Sequence, residues 1–219
     1  MSKNEEISIE QQMLIYVTGQ SKSNDIDDLL NVFDNYCWNN QWMMNLGDIK
    51  GKILDQQLLK YKPQTVLEFG TYCGYSSTRI VKSLSKSAKF ITIEMNPYNA
   101  NIAASIHKHA NVSERIIQLV ADTKDAIPTL SQEHDVKQGF DLIFIDHWKN
   151  VYLRDLKLLE QFGLIRKGTV VVADNMIYPG APDYLEYTKT CGHYENELFE
   201  SFLEYQYEQK DAVLVSVRK

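Results

Sequence analysis

The chain has 219 residues, enough for one sizeable α/β domain, and its 44% hydrophobic and 24% charged content is that of an ordinary globular protein. A formal net charge of −6 without any lysine or arginine run disfavours a nucleic-acid partner bound through a basic face. No stretch approaches the roughly 18 apolar residues of a membrane span, and the polar, acidic residues 1–12 lack the order of a signal peptide. Three unpatterned cysteines, Cys37, Cys73 and Cys191, argue against a disulfide framework and for a reducing compartment. A cytoplasmic protein with no membrane partner is expected.

Residues 7–17 and 25–38 carry apolar side chains at helical spacing, with Leu29, Leu30, Val32, Phe33 and Tyr36 along one side of the second segment. The Ser-Lys-Ser-Asn stretch before it offers N-cap residues, and Asp25-Ile-Asp-Asp puts acids where the helix dipole favours them. Residues 39–47, with Trp42, Met43 and Met44, read as a loop, and 47–61 as a third amphipathic helix punctuated by Pro63. From Thr65 onward strands and helices alternate. Strands are expected at 65–69, 89–93, 115–120, 141–145 and 169–173, and helices at 76–84, 97–109, 123–130 and 151–162. Residues 194–206 and 211–217 read as an antiparallel pair closing the sheet. The pattern predicts leading helices and then a Rossmann-like, doubly wound, mostly parallel sheet of seven strands, in one domain whose residues 1–62 cover the 63–219 core.

The stretch 65–77, T-V-L-E-F-G-T-Y-C-G-Y-S-S, is a strand, a tight turn and a helix start. Its spacing is E-x-G-x-x-x-G, not the G-x-G-x-x-G of dehydrogenases. An acid at the strand tip is a poor neighbour for a pyrophosphate and a good one for the cationic amino group of S-adenosylmethionine; a plain α/β turn with two glycines is the alternative. Four strands end on a carboxylate: Glu68, Glu94, Asp146 and Asp174. Carboxylates crowded at one edge repel, so each needs a cation or a donor.

Glu94, 20 residues past Gly74, can accept both hydroxyls of a ribose, or be a solvated strand-end acid. Asp146 with Asp174 and Asn175 makes a hard, all-oxygen set that suits Mg²⁺ better than zinc. The alternative is an N-capping Asp at each turn. Lys149, three residues past Asp146, is placed to act as a general base beside a cation and a sulfonium, or is an exposed lysine opening a helix. Trp42 and Trp148 offer walls for a flat aromatic guest or a methylthio cation.

Beyond these single positions, the chain from about 38 to 205 resembles the catechol O-methyltransferases, which are class I S-adenosylmethionine-dependent enzymes. The matching blocks are W-M-M-N-L-G-D-I-K-G at 42–51, V-L-E-F-G-T-Y-C-G-Y-S at 66–76, E-M-N-P at 94–97 and D-H-W-K at 146–149. To these add R-K-G-T-V-V-V-A-D-N at 166–175, P-G-A-P-D-Y-L at 179–185 and F-L-E-Y at 202–205. The resemblance implies Mg²⁺ on Asp146, Asp174 and Asn175, Lys149 as the base, and Glu204 as the acceptor from the hydroxyl that stays unmethylated. It implies Met44, Leu46, Glu68, Gly70, Tyr72 and Ser76 at the methionine end of the cofactor and Glu94 on the ribose. Met95, Thr123, His147 and Trp148 would surround the adenine and sulfonium, and Trp42, Trp148 and Pro179 would clamp a small catechol, with Lys149, Asn175 and Glu204 on its oxygens. A monomer is expected. Three features depart from the animal pattern. Asp122-Thr123 replaces a small pair ending in serine, Tyr178 precedes Pro179 where a smaller residue is usual, and 188–199 matches poorly.

Other readings predict other residues. A nucleotide-dependent oxidoreductase would carry the dinucleotide glycine fingerprint, and a methyltransferase acting on nitrogen would carry an N-P-P-Y-type site where D-H-W-K stands. An enzyme for larger phenylpropanoid or CoA-linked phenols shares the metal triad, but F-L-E-Y and the two tryptophans favour small free catechols. An inactive scaffold would have lost a metal ligand or the base, and neither is lost.

Overall fold

The computed structural model describes residues 7–219, so the signal-peptide reading of 1–12 falls partly on residues 1–6, which lie outside the described residues. Three helices lead: α1 (Ile9–Gln20), α2 (Ile26–Asn39) and α3 (Gly47–Tyr61). Then come β1 (Thr65–Phe69), α4 (Tyr75–Ser83), β2 (Lys89–Glu94), α5 (Pro97–His109), β3 (Ile117–Val120), α6 (Thr123–Ala126) and α7 (Leu130–Glu133). The chain finishes with β4 (Leu142–Ile145), α8 (Tyr152–Gln161), β5 (Val170–Ala173), α9 (Pro182–Thr190), β6 (Tyr194–Phe202) and β7 (Lys210–Arg218). The seven strands lie in the order β3-β2-β1-β4-β5-β7-β6, parallel from β3 to β5, with β7 antiparallel to β5 and β6 antiparallel to β7. This is the expected doubly wound sheet with its antiparallel hairpin. Among the described residues no helix is long and apolar enough to cross a membrane.

Strands β1, β4 and β5 are buried on both faces and alternate between two cores. Val66, Leu142, Phe144, Val170 and Val172 face a core shared with the leading helices, through Leu29, Phe33, Leu54 and Leu58. Leu67, Phe69, Ile143, Ile145 and Val171 face the other, with Tyr152, Leu156 and Leu159 of α8. Each such side chain, fully removed from water, contributes about 1.5–3 kcal/mol.

Local departures from the sequence reading have local causes. The cap of α2 is Asp25 itself, whose carboxylate accepts from the Asp28 N–H at 3.0 Å, while Asn24 turns the chain at φ 66°. Residues 113–115 form a 3₁₀ turn rather than the start of β3, with the Arg115 guanidinium donating to the carbonyls of Leu84 and Ser85. The expected helix over 123–130 breaks around Pro128 into α6, a 3₁₀ turn and α7. Helix α9 was not foreseen, although Pro182 at its first turn and Asp183 after it are ordinary starting residues. The strand expected to reach residue 206 ends at Phe202, because Tyr205 adopts φ 56° and turns its ring into the leading helices.

The registers bring the functional residues to one edge. Phe69 pairs with Ile145 and Ile145 with Ala173, so Gly70, Asp146 and Asp174 leave adjacent strands at the same level. Gly70 has φ 92°, and a Cβ there would lie 2.4 Å from the Asp146 carbonyl oxygen. Only glycine permits this approach. Gly70→Ala is expected to lower the unfolding free energy by about 1–2 kcal/mol or more, read by urea denaturation; unchanged stability would contradict the close packing of these two turns.

Candidate active site

The turn after β1 lies at the carboxyl edge of the sheet. Tyr72 takes φ 46° and Gly74 φ 88°, with Gly74 packed against Ala103 of α5. Glu94 is fixed by this turn: its Oε2 accepts from the Tyr72 N–H at 2.8 Å and its Oε1 from the Asn96 N–H at 2.9 Å. Tyr72 also reaches α1, donating its hydroxyl to Glu10 at 3.1 Å.

Glu68 is fully buried. Its Oε2 accepts from Thr92 Oγ1 at 2.5 Å, and Thr92 pairs with Thr71 Oγ1 at 2.5 Å. Among the described residues its Oε1 has no partner. Burial pushes the carboxyl up to about 8, against the weaker pull of the Ser76 and Thr92 hydroxyls. Ser76, Leu46 and Thr123 are buried, whereas Met44, Met95, Trp42 and Trp148 are exposed, Trp148 by 71%. Thr123 Oγ1 and His147 Nε2 both meet Asp155 Oδ2 at 2.6 Å, and the His147 ring stacks on Tyr152. Asp155 is thus the hidden support of two sequence-predicted cofactor residues. Its place in the first turn of α8 reads in sequence as an ordinary helix-dipole acid.

The other half of the site is built around charges. Asp146 Oδ1 accepts from Lys149 Nζ at 2.9 Å, and the same ammonium meets the Tyr152 hydroxyl at 2.8 Å. On the neighbouring strand, Asp174 Oδ2 lies 2.7 Å from Lys50 Nζ, which also contacts Glu204 Oε2 and Asp211 Oδ2 at 3.0 Å each. Burial pulls Lys50 down, but Asp174, Glu204 and Asp211 together hold it charged well above the ordinary lysine range. Burial pushes Asp174 up to about 6 despite Lys50 and raises Glu204 as well. For Asp211, Lys50 and the Tyr178 N–H outweigh burial and keep the carboxyl below its usual range.

Asn175, in the left-handed region at φ 56°, donates its Nδ2 to Asp211 Oδ2 at 2.9 Å. Trp42 Nε1 donates to the Glu204 carbonyl at 3.0 Å, joining the loop before α3 to the turn after β6. Pro179 follows Tyr178 through a cis peptide bond. Tyr178, Leu203, Gln206, Glu208 and Gln209 line a surface recess of about 290 Å³ next to Glu204 in the chain.

Sequence reasoning missed Lys50 and Asp211. The signal for Lys50 was its position: Gly47, Gly51, Leu54 and Leu58 make the buried stripe of α3, and Lys50 lies on it. Asp211, at the start of a strand, gave no signal. Among the described residues no three His, Cys, Asp or Glu side chains form a metal-holding cluster; the candidate donors are two carboxylates and an amide. Asp174 Oδ1 is buried without a partner among the described residues, and the Asn175 carbonyl oxygen is the end of its amide not engaged by Asp211. With Asp146 beside them, these hard oxygens fit a small divalent cation.

A family model described as O-methyltransferase matches residues 20–189. The catechol O-methyltransferase of Mus musculus is 41% identical over 196 residues, which cover 90% of this chain and 74% of the relative. The catechol O-methyltransferase B of Danio rerio is 43% identical over 195 residues, 89% of this chain and 74% of that one. The chain belongs to the catechol O-methyltransferase family. It is an O-methyltransferase on the class I S-adenosylmethionine-binding fold. Among solved structures it is similar to the O-methyltransferase TomG from Streptomyces achromogenes in complex with SAM, with a TM-score of 0.73 and 20% identity over 97% of this chain and 100% of that one. At that identity the likeness speaks to the fold alone.

Glu68 is a buried acid, and stability should report it. A carboxyl whose pKa is higher folded than unfolded gives its full contribution below about 4.5 and loses it as the pH rises through about 8. The stability of Glu68→Gln relative to the unaltered chain is therefore expected to grow between pH 5 and pH 8, with a slope of up to about 1.4 kcal/mol per pH unit. Urea unfolding at several pH values measures it; a pH-independent difference would mean that Glu68 ionises freely.

Proposed function

We propose that this chain transfers the methyl group of S-adenosylmethionine to one hydroxyl of a small catechol, with Mg²⁺ as its metal. The products are the mono-methoxy phenol and S-adenosylhomocysteine. The observation that carries the reading is the meeting of unlike groups at one sheet edge: Lys149 on Asp146, and Glu204 joined to Asp174 through Lys50. Three free cysteines, two of them buried, support a reducing, cytoplasmic setting.

In this reading Glu68 receives the ammonium of the cofactor, with Gly70, Tyr72, Ser76 and Met44 around its methionine end. Leu46 is buried beside them and packs under that end. Glu94, though held by two N–H groups, keeps a lone pair on each oxygen for the ribose hydroxyls. Met95, Thr123, His147 and Trp148 surround the adenine and sulfonium. Trp42, Trp148 and Pro179 flank the aromatic ring, and the bond from Trp42 to the Glu204 carbonyl fixes that wall.

Asp146, Asp174 and Asn175 would hold Mg²⁺, which when bound supplies orientation and acidifies a phenolic hydroxyl. Lys149 Nζ, once its ammonium has released a proton to solvent, takes the proton of the attacking hydroxyl as the neutral amine. Glu204, with Oε2 on Lys50, offers Oε1 to the second hydroxyl and keeps it from the methyl group. The attacking oxygen forms its bond to the methyl carbon as the carbon–sulfur bond breaks, and the sulfur leaves with the electron pair. Holding the two partners in near-attack geometry is worth about 7–11 kcal/mol.

Methyl transfer to 3,4-dihydroxybenzoate tests the reading. Turnover is expected with Mg²⁺, abolished by EDTA, lost in Asp174→Ala, and reduced about 10²–10⁴-fold in Lys149→Met. Cofactor binding without turnover on any vicinal diphenol would overturn the small-catechol reading and point to a larger phenol.

A further inference from the structure

Asp211 is fully buried at the start of β7 and has no part in the chemistry above. Its carboxylate accepts four donors. Oδ2 takes Lys50 Nζ at 3.0 Å and Asn175 Nδ2 at 2.9 Å, and Oδ1 takes the backbone N–H groups of Ile177 and Tyr178 at 3.1 Å each. Each donor leads to a working part of the site. Lys50 leads to Asp174 and Glu204, Asn175 to the metal donors, and Ile177-Tyr178 to the segment that carries Pro179.

The bond to Asn175 has a directional consequence. A side-chain amide can present either its oxygen or its NH₂ group to a given neighbour, and only the oxygen can bind a cation. An ionised carboxylate is an acceptor only, so it can engage only the NH₂ end. With that end held by Asp211, the carbonyl oxygen is turned away from Asp211 and presented on the opposite side of the amide.

We propose that Asp211 is a positioning residue of the metal centre: it fixes the Asn175 amide with its oxygen toward the cation, and through Lys50 sets Asp174 and Glu204 against the same point. This inference rests on the reading of Asp146, Asp174 and Asn175 as metal donors. Partners of this kind, one shell out from the metal, orient its ligands, and their loss typically costs about 10–100-fold in metal affinity.

The test is Mn²⁺ binding to the full chain loaded with S-adenosylhomocysteine, followed by electron paramagnetic resonance without any catechol. Asp211→Asn replaces a pure acceptor with a group that can face Asn175 either way. It is expected to weaken Mn²⁺ binding about 10–100-fold while leaving S-adenosylhomocysteine affinity unchanged. In an Asn175→Ala background the same substitution should add much less, because the amide it orients is gone.

Unaltered Mn²⁺ affinity in Asp211→Asn, or a loss of equal size in both backgrounds, would overturn the proposal. A parallel fall in S-adenosylhomocysteine affinity would mark a general loss of fold and also count against it. Mn²⁺ affinity that Asp174→Ala and Asn175→Ala leave unaltered, or that the unaltered chain lacks, removes the metal-donor reading and this inference together. Affinity that those two substitutions weaken and Asp211→Asn leaves intact removes this inference alone.

Discussion

One buried ammonium organises the site. Lys50 is almost wholly removed from water and meets three carboxylates, Asp174, Glu204 and Asp211, within 3.0 Å. Burying an ion costs several kcal/mol, and only close, well-hydrogen-bonded counter-charges offset it. Here the excess is on the carboxylate side. Among the described residues one cation faces three acids, Asp146 has only Lys149 paired with it, and Asp174 keeps an oxygen without a partner. A site held in this state is electrostatically incomplete, and a divalent cation is the natural complement. The chemistry proposed for the protein follows from that deficit as much as from its kinship.

The same interaction ties together parts of the chain that are far apart in sequence. Lys50 comes from α3, Asp174 from the end of β5, Glu204 from the turn after β6, and Asp211 from the start of β7. The Glu204 turn is pinned twice more, by Trp42 on its carbonyl and by the Tyr205 hydroxyl on Asp34 of α2 at 3.1 Å. Asp34 is itself a half-buried acid, raised to about 6 by its partial burial. The leading helices and the loop before α3 therefore do more than cover the sheet, since they supply the Lys50 cation, the Trp42 indole and the Asp34 anchor of the Glu204 turn. The cofactor half rests on different physics, in which backbone N–H groups and close-packed glycine turns hold Glu94 and bring Gly70 against the β4 end.

Much of this was legible in sequence because the signals are local. Apolar runs ending in an acid located the strands and put Glu68, Glu94, Asp146 and Asp174 at their tips, and the pairing of β4 with β5 brings the last two side by side as that reading required. Lys149 three residues after Asp146 was also local, and the two do meet. The hidden groups are those whose roles depend on distant partners. A lysine in a helix reads as solvent-facing unless its stripe is counted, and an aspartate opening a strand reads as an edge charge. Asp155 passes for a helix-start acid, because nothing nearby in sequence shows that His147 and Thr123 lean on it. Turn positions were the other blind spot: the left-handed Asn24 and Tyr205 move a cap and a strand end by a few residues each.

The most direct measurement is the unfolding free energy of Lys50→Met at neutral pH by urea denaturation, alongside the unaltered chain. Methionine keeps the length and apolar stem of lysine and removes only the charge. If the buried ammonium is the counter-ion on which Asp174, Glu204 and Asp211 depend, the variant loses about 3–5 kcal/mol. Stability equal to or above that of the unaltered chain would contradict the account, because the three carboxylates would then be holding their places without it.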